Sequence, residues 1–178
     1  MKDYNGKMAL DIGVGSGIIT RALCENFENV VGTELVFEIL KNYKEDVISY
    51  SLEESEKKLR NDKRFEPVCA DAASPFRNHI FDLIVSNPPY LPDDYNSKGM
   101  RIYDRAIYGG KRGIEVTFNI IRSSLTTLKR EGSILIIVSS LSDTSHLHEL
   151  LHKFNLNIKI LVERRLFFET LSVLEIKY

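Results

Sequence analysis

The stretch Met8–Gly17 limits the possible folds more than any other. Met8-Ala9-Leu10-Asp11-Ile12 reads as a buried strand, and it runs straight into Gly13-Val14-Gly15-Ser16-Gly17 at the start of a helical pattern over Ser16–Asn26. Glycines let a backbone turn sharply and let a ligand approach it closely. A strand, a glycine turn and a helix open a βαβ unit, which returns the chain to a parallel neighbour. In an open α/β sheet, ligands bind beyond the carboxyl ends of the strands, at the switch point.

The remaining pattern repeats the alternation. Asn29–Thr33 reads as a second strand. A helical stretch runs from Leu35 to about Asn61, its charged run Glu53–Arg60 reading as a solvated face. Glu66–Ala70 and Phe81–Ser86 read as strands, followed by a long polar loop from Leu91 to Gly113. Ile114, Phe118, Ile121, Leu125 and Leu128 recur at helical spacing, and Gly132 is expected to end the turn after them. Ser133–Ser139 is a near-continuous apolar strand, as expected where both sheet faces are covered. Ser142–Lys153 reads as a helix with Leu147, Leu150, Leu151 and Phe154 on one face. Asn157–Val162 and Thr170–Lys177 have no helix between them and are expected to pair as an antiparallel hairpin at one edge. The expected fold is α/β, a doubly wound and mostly parallel sheet, in a single domain over residues 1–178.

Composition narrows the class. A formal net charge of −1 gives no bulk attraction for a polyanion. Cys24 and Cys69 form no C-x-x-C pair, which fits a reducing compartment without a disulfide framework. The opening residues do not read as a signal peptide, and no apolar run approaches membrane-spanning length. A cytoplasmic protein with no membrane partner is expected.

Asn87-Pro88-Pro89-Tyr90 closes the Phe81–Ser86 strand. Each proline removes a backbone donor and holds the residue before it extended. The Asn87 side-chain oxygen and the Pro88 carbonyl are then fixed acceptors beside the Tyr90 ring, suited to a planar NH2 group of an amide or an exocyclic amine. The other sequence-level alternative is a proline-stiffened strand exit with Tyr90 in the core.

The glycine turn lacks the marks of two common nucleotide sites. Ile18 stands where a dinucleotide fingerprint wants glycine or alanine, and no Lys-Ser/Thr follows as a Walker-type loop requires. Acids close the first three strands instead. Asp11 precedes the turn, Glu34 lies about 20 residues beyond the glycines, where an acid accepts from ribose hydroxyls, and Asp71 is placed to take an adenine amino group. Three carboxylates repel a phosphate and tolerate a sulfonium-bearing nucleoside. The plainer alternative has Asp11 capping backbone amides and Asp71 capping a short helix.

These residues together resemble the class I S-adenosylmethionine-dependent methyltransferases. Within them, Val85-Ser86-Asn87-Pro88-Pro89-Tyr90-Leu91, Gly109-Gly110-Lys111-Arg112-Gly113 and the tail Glu169-Thr170-Leu171-Ser172-Val173-Leu174 resemble the HemK-type protein-glutamine methyltransferases, in the archaeal and eukaryotic release-factor branch. The resemblance implies a Rossmann-like seven-stranded sheet with an antiparallel C-terminal hairpin. It implies S-adenosylmethionine as cofactor, held by Asp11, Gly13, Gly15, Gly17, Glu34, Leu35, Asp71, Ala72 and Asn87. It makes Asn87, Pro88, Pro89 and Tyr90 the catalytic set, with no metal. The implied substrate is a glutamine in a Gly-Gly-Gln motif of a release factor, and the implied partner a small zinc-binding activator subunit. Family members carry a lid segment before the first strand, which is expected to be missing or very short here, with only Met1–Lys7 upstream.

Two alternatives stand beside this reading. One is an RNA or DNA amino-methyltransferase with the same chemistry, supported by Lys98, Arg101, Arg105, Lys111 and Arg112 interleaved with Tyr95, Tyr103 and Tyr108. The other is a cofactor-binding subunit without activity of its own. His148-Glu149-Leu150-Leu151-His152 spells a zinc-peptidase motif. The apolar face formed by its neighbours turns both histidines toward solvent, so an ordinary connecting helix is expected.

Overall fold

The structure is a computed structural model that describes residues 4–44, 64–93, 104 and 106–178. Along the chain lie β1 (Gly6–Ile12), α1 (Ile18–Cys24), β2 (Phe27–Glu34), α2 (Phe37–Lys44), β3 (Phe65–Cys69), β4 (Phe81–Ser86), α3 (Glu115–Thr127), β5 (Leu128–Ser139), α4 (Thr144–His152), β6 (Asn157–Arg165) and β7 (Thr170–Lys177). The charged run Glu53–Arg60 and most of the long loop after Leu91 lie outside the described residues.

The strands form one seven-stranded sheet in the order β3-β2-β1-β4-β5-β7-β6. The first five pair in parallel, and β7 runs antiparallel between β5 and β6. This is the doubly wound α/β sheet with an antiparallel C-terminal pair that the pattern predicts. Pro67 is tolerated because β3 is an edge strand with a side that needs no donor.

Strand periodicity explains the continuous apolar runs. Ala9, Leu83, Val85 and Leu135 point to one face and pack with Leu23, Phe27 and Phe65. Leu10, Ile12, Ile84, Ile134 and Ile136 point to the other, against Ile121, Leu125, Leu147 and Leu151 of α3 and α4. Alternate residues thus serve opposite cores, and both faces demand hydrophobes.

Two details depart from the sequence reading. Gly132 lies inside β5 and ends no turn, because β5 starts at Leu128. The register against β4 jumps there, from Phe81↔Leu128 to Leu83↔Ser133. Phe154, expected on the buried face, is 42% exposed and only flanks Phe118 at a ring separation of 6.1 Å.

The register jump is secured by a charge that the apolar pattern hides. The Asp82 Oδ1 atom meets Lys129 Nζ at 2.6 Å, while Oδ2 accepts from the Lys7 and Met8 amides at 3.0 and 2.9 Å. One carboxylate therefore ties β1 and β5 to β4 at the amino ends of the parallel strands. Replacing it leaves two amides and an ammonium to find water. Asp82→Ala is expected to cost about 2 kcal/mol, read as a lowered urea midpoint at unchanged slope, and Asp82→Asn less. A midpoint unmoved by Asp82→Ala would remove this carboxylate from the account of the fold.

Candidate active site at the carboxyl ends of β1 and β4

β1 is the switch point, since β2 leaves on one side and β4 lies on the other. The glycine turn begins where β1 stops. Gly13, Gly15 and Gly17 take φ of 80°, 49° and 74°, a region that side chains disfavour. The Gly13 and Val14 amides donate to the Thr33 carbonyl at 2.8 and 3.2 Å, and the Gly17 amide to the Val14 carbonyl at 2.8 Å. A Cβ on Gly13 would meet nothing within 4 Å, so the turn presents an open side.

Asp11 sits beneath this turn with no exposure at all. Its Oδ2 accepts from Thr20 Oγ1 at 2.5 Å, and its Oδ1 has no partner among the described residues. Burial pushes its carboxyl up to about 7; hydrogen bonding from Thr20 opposes this, and the nearby Glu34 charge adds to it. Glu34 closes β2 with Oε1 accepting from the Leu35 and Val36 amides at 2.9 and 3.2 Å and Oε2 from the Gly15 amide at 3.4 Å. Leu35 beside it is half exposed. Asp71 follows β3 with its side chain exposed, and its carbonyl accepts from the Ser74 amide and hydroxyl. Ala72 turns the chain there at a φ of 49°.

Asn87-Pro88-Pro89-Tyr90 lies beside the glycine turn. The Ser86 hydroxyl donates to the Ile12 carbonyl at 2.8 Å, which locks the ends of β4 and β1 together. Pro88 is buried, Asn87 is exposed, and Pro89 and Tyr90 are half buried. The buried proline anchors the segment while its neighbours reach the rim. Tyr90 is thus not a core residue. Burial and the Glu169 carboxylate push the Tyr90 hydroxyl above its ordinary value, so the ring stays a neutral phenol.

The Gly109–Gly113 motif clamps this segment from outside. Gly109 N donates to the Leu91 carbonyl at 2.9 Å, Leu91 N to the Ile107 carbonyl at 3.1 Å, and Asp93 N to the Gly110 carbonyl at 2.9 Å. A Cβ on Gly109 would run into the Pro89 carbonyl oxygen, and one on Gly113 into that of Tyr90. The backbones approach so closely that only glycine fits. Glu115 holds the turn by accepting from the Arg112 and Ile114 amides.

Other sequence candidates do not converge here. His148 is half buried and His152 exposed on α4, while Glu149 pairs with His146 at 3.3 Å. Among the described residues no cluster of His, Cys, Asp or Glu is placed to hold a metal. Of the basic and aromatic loop residues, Lys111, Arg112 and Tyr108 are exposed, Arg112 pairing with Asp143 at 3.2 Å; Tyr95, Lys98, Arg101, Tyr103 and Arg105 lie outside the described residues. Thr20, Thr33 and Glu169 join the site without having been singled out. Glu169 stood within the C-terminal motif, and Thr20 one helical turn past the glycines.

The group implied by the fold fits these residues. The open glycine turn, the unpartnered Asp11 Oδ1 and the acids ending three adjacent strands suit a nucleoside with a cationic substituent. No Lys or Arg stands in the segments 11–17, 34–36 or 71–72 to receive a phosphate.

Comparison with known proteins agrees with this geometry. The methyltransferase domain family matches residues 10–88. A protein of Methanocaldococcus jannaschii named as a protein N5-glutamine methyltransferase is 29% identical over 177 residues, covering 97% of this chain and 82% of its own length. A release factor glutamine methyltransferase of Clostridium botulinum is 31% identical over 144 residues, 75% of this chain and 47% of that protein. The chain thus spans about half the length of this bacterial relative. Among solved structures, the E. cuniculi Mtq2–Trm112 complex, responsible for methylation of the termination factor eRF1, matches with a TM-score of 0.71 at 22% identity, over 99% of this chain and 87% of that one. No helix among the described residues is long and apolar enough to cross a membrane. In sequence over residues 10–88 and in fold over the described residues, the chain resembles the methyltransferases, and the relatives it matches in sequence are named as acting on protein glutamine.

Proposed function

We propose that this chain methylates the side-chain nitrogen of a glutamine in a translation release factor, with S-adenosylmethionine as donor. One observation carries the reading: the proline-fixed acceptors of Asn87 and Pro88 stand directly beside the glycine turn, joined through Ser86 and Ile12. When bound, the cofactor supplies a methyl group on an electrophilic sulfonium. Asp11, Gly13, Gly15, Gly17, Glu34, Leu35, Asp71, Ala72 and Asn87 would hold it. Asn87 Oδ1 and the Pro88 carbonyl accept from the two N–H groups of the target amide. They stabilise the positive charge that grows on nitrogen, which an amide needs because its lone pair is delocalised. Tyr90, kept neutral, packs on the planar amide and fixes its angle. The printed functions of the relatives support the glutamine target, and the E. cuniculi complex supports a partner subunit in the role of Trm112. A small zinc-binding activator belongs to the same reading, as does a cytoplasmic site of action.

The test is a labelled-methyl assay on a release factor and on its Gln→Ala version in the Gly-Gly-Gln motif. Asn87→Ala and Tyr90→Ala are each expected to lower kcat by roughly 100-fold or more, the scale of losing one preorganised group, with cofactor affinity largely kept in Tyr90→Ala. Wild-type rates in both variants would refute the assigned roles, and equal labelling of the Gln→Ala protein would refute the target.

Asp11 makes a pH signature. Its folded-state value is about 7 against an ordinary 3.8. Between those values the folded protein holds a proton that the unfolded chain has released. Stability therefore falls as pH rises from about 4 to about 7, and this contribution is flat above. The full effect is on the order of 4 kcal/mol. Asp11→Asn cannot ionise and is expected to remove that slope. Denaturant midpoints of both proteins across the window check it, and parallel pH profiles would show that Asp11 does not titrate as described.

A further inference from the structure

The turn between β6 and β7 carries two phenylalanines with no cover among the described residues. Phe167 and Phe168 are 101% and 92% exposed, far above any other aromatic ring described. They are the loop residues of a tight hairpin closed by Leu166 N donating to the Glu169 carbonyl at 2.7 Å. Such two-residue turns ordinarily take Asn-Gly or a glycine pair at positive φ. Neither phenylalanine is among the residues with positive φ. Turn chemistry thus gives no reason for two aromatics here, and solvent exposure argues against them.

Their position supplies a reason. β7 starts beside the carboxyl end of β5, with Ser139 opposite Leu171. Ser140 N donates to the Thr170 carbonyl at 2.9 Å, and Thr170 N to Ser140 Oγ at 2.8 Å. Glu169 accepts from Ser139 Oγ at 2.5 Å and lies near enough to Tyr90 to raise its hydroxyl. Leu141, itself 43% exposed, donates its amide to the same Ser139 oxygen. The tip therefore stands at the carboxyl end of β5, the same end of the sheet as Asn87 and Tyr90, with exposed Leu141 following that strand.

We propose that Phe167 and Phe168, with Leu141 behind them, are the docking point for the folded protein substrate, seating an apolar patch beside its target glutamine. This rests on the reading of the site as a protein-glutamine methyltransferase. Exposed aromatics at the edge of a catalytic opening are the anchors that protein interfaces favour. The flanking charges, Glu163 and Glu169 against Arg164 and Arg165, cancel, so the tip itself carries no net charge that would favour RNA over protein. The tip is held by hydrogen bonds on both strands, so it presents its rings without a large ordering cost.

The test uses two acceptors, an intact release factor and a short peptide bearing its Gly-Gly-Gln motif, with wild type and the Phe167→Ala/Phe168→Ala double variant. The variant is expected to raise KM for the intact factor at least about ten-fold, as truncation of an interface anchor does. Its kcat/KM on the peptide and its thermal midpoint are expected to stay at wild-type values. Unchanged KM on the intact factor, with wild type active on both acceptors, overturns the docking role alone. A wild type that methylates neither acceptor, assayed with and without a Trm112-type partner subunit, overturns the underlying reading and this inference with it. Equal losses on factor and peptide overturn docking in favour of a role in the site itself. A variant that loses self-association or RNA binding at unchanged KM assigns the tip to another occupant and also overturns it.

Discussion

The pairing of β1 with β4 is the constraint on which the candidate site depends. These neighbours lie at the switch point, where crossovers on either side leave a crevice. Ile12 pairs with Ser86, and the Ser86 hydroxyl adds a bond to the Ile12 carbonyl just where both strands stop. The glycine turn and the proline-fixed acceptors are separated by about 70 residues of chain yet start from adjacent rungs of one ladder. Everything farther out corrects the aim of one side or the other. Thr33 receives the turn, Glu34 closes it, and the Gly109–Gly113 segment presses on the Pro89 and Tyr90 carbonyls.

The electrostatics of the two sides differ in kind. On the proposed cofactor side a carboxyl lies fully buried with one oxygen unanswered among the described residues, an expensive arrangement without a ligand that calls for it. On the proposed substrate side the groups are neutral: an amide, a carbonyl and a phenol kept protonated by burial and Glu169. Acceptors without formal charge suit an amide whose own charge develops only during transfer.

Much of this was legible in the chain. Apolar runs located the inner strands because both faces of the sheet are covered there, and alternate residues such as Leu83 and Ile84 serve different cores; β6, mostly exposed at the edge, was found from its pairing with β7. The geometry of the candidate site segments was legible because glycine and proline act through the backbone, which local sequence determines. What escaped was long-range. Asp82 looked like a lone polar residue in an apolar run, and its partners lie on β1 and β5. The β5 start at Leu128 was hidden because Leu128 also continues the helical spacing of α3. Phe154 shared the face of Leu147 and Leu151, but α4 ends before its position reaches the core. Glu169 reaches Tyr90 only through the strand order.

The placement of β7 has a consequence for assembly. It comes after every other element yet fills the gap between β5 and β6, bonding to both. During synthesis the five parallel strands emerge first, while the outer rim of β5 waits with its ladder unsatisfied and β6 has nothing to join. Only the final insertion seals that rim, attaches the outermost strand and swings the aromatic hairpin into place. Completion of the architecture and presentation of the phenylalanine pair are thus one event.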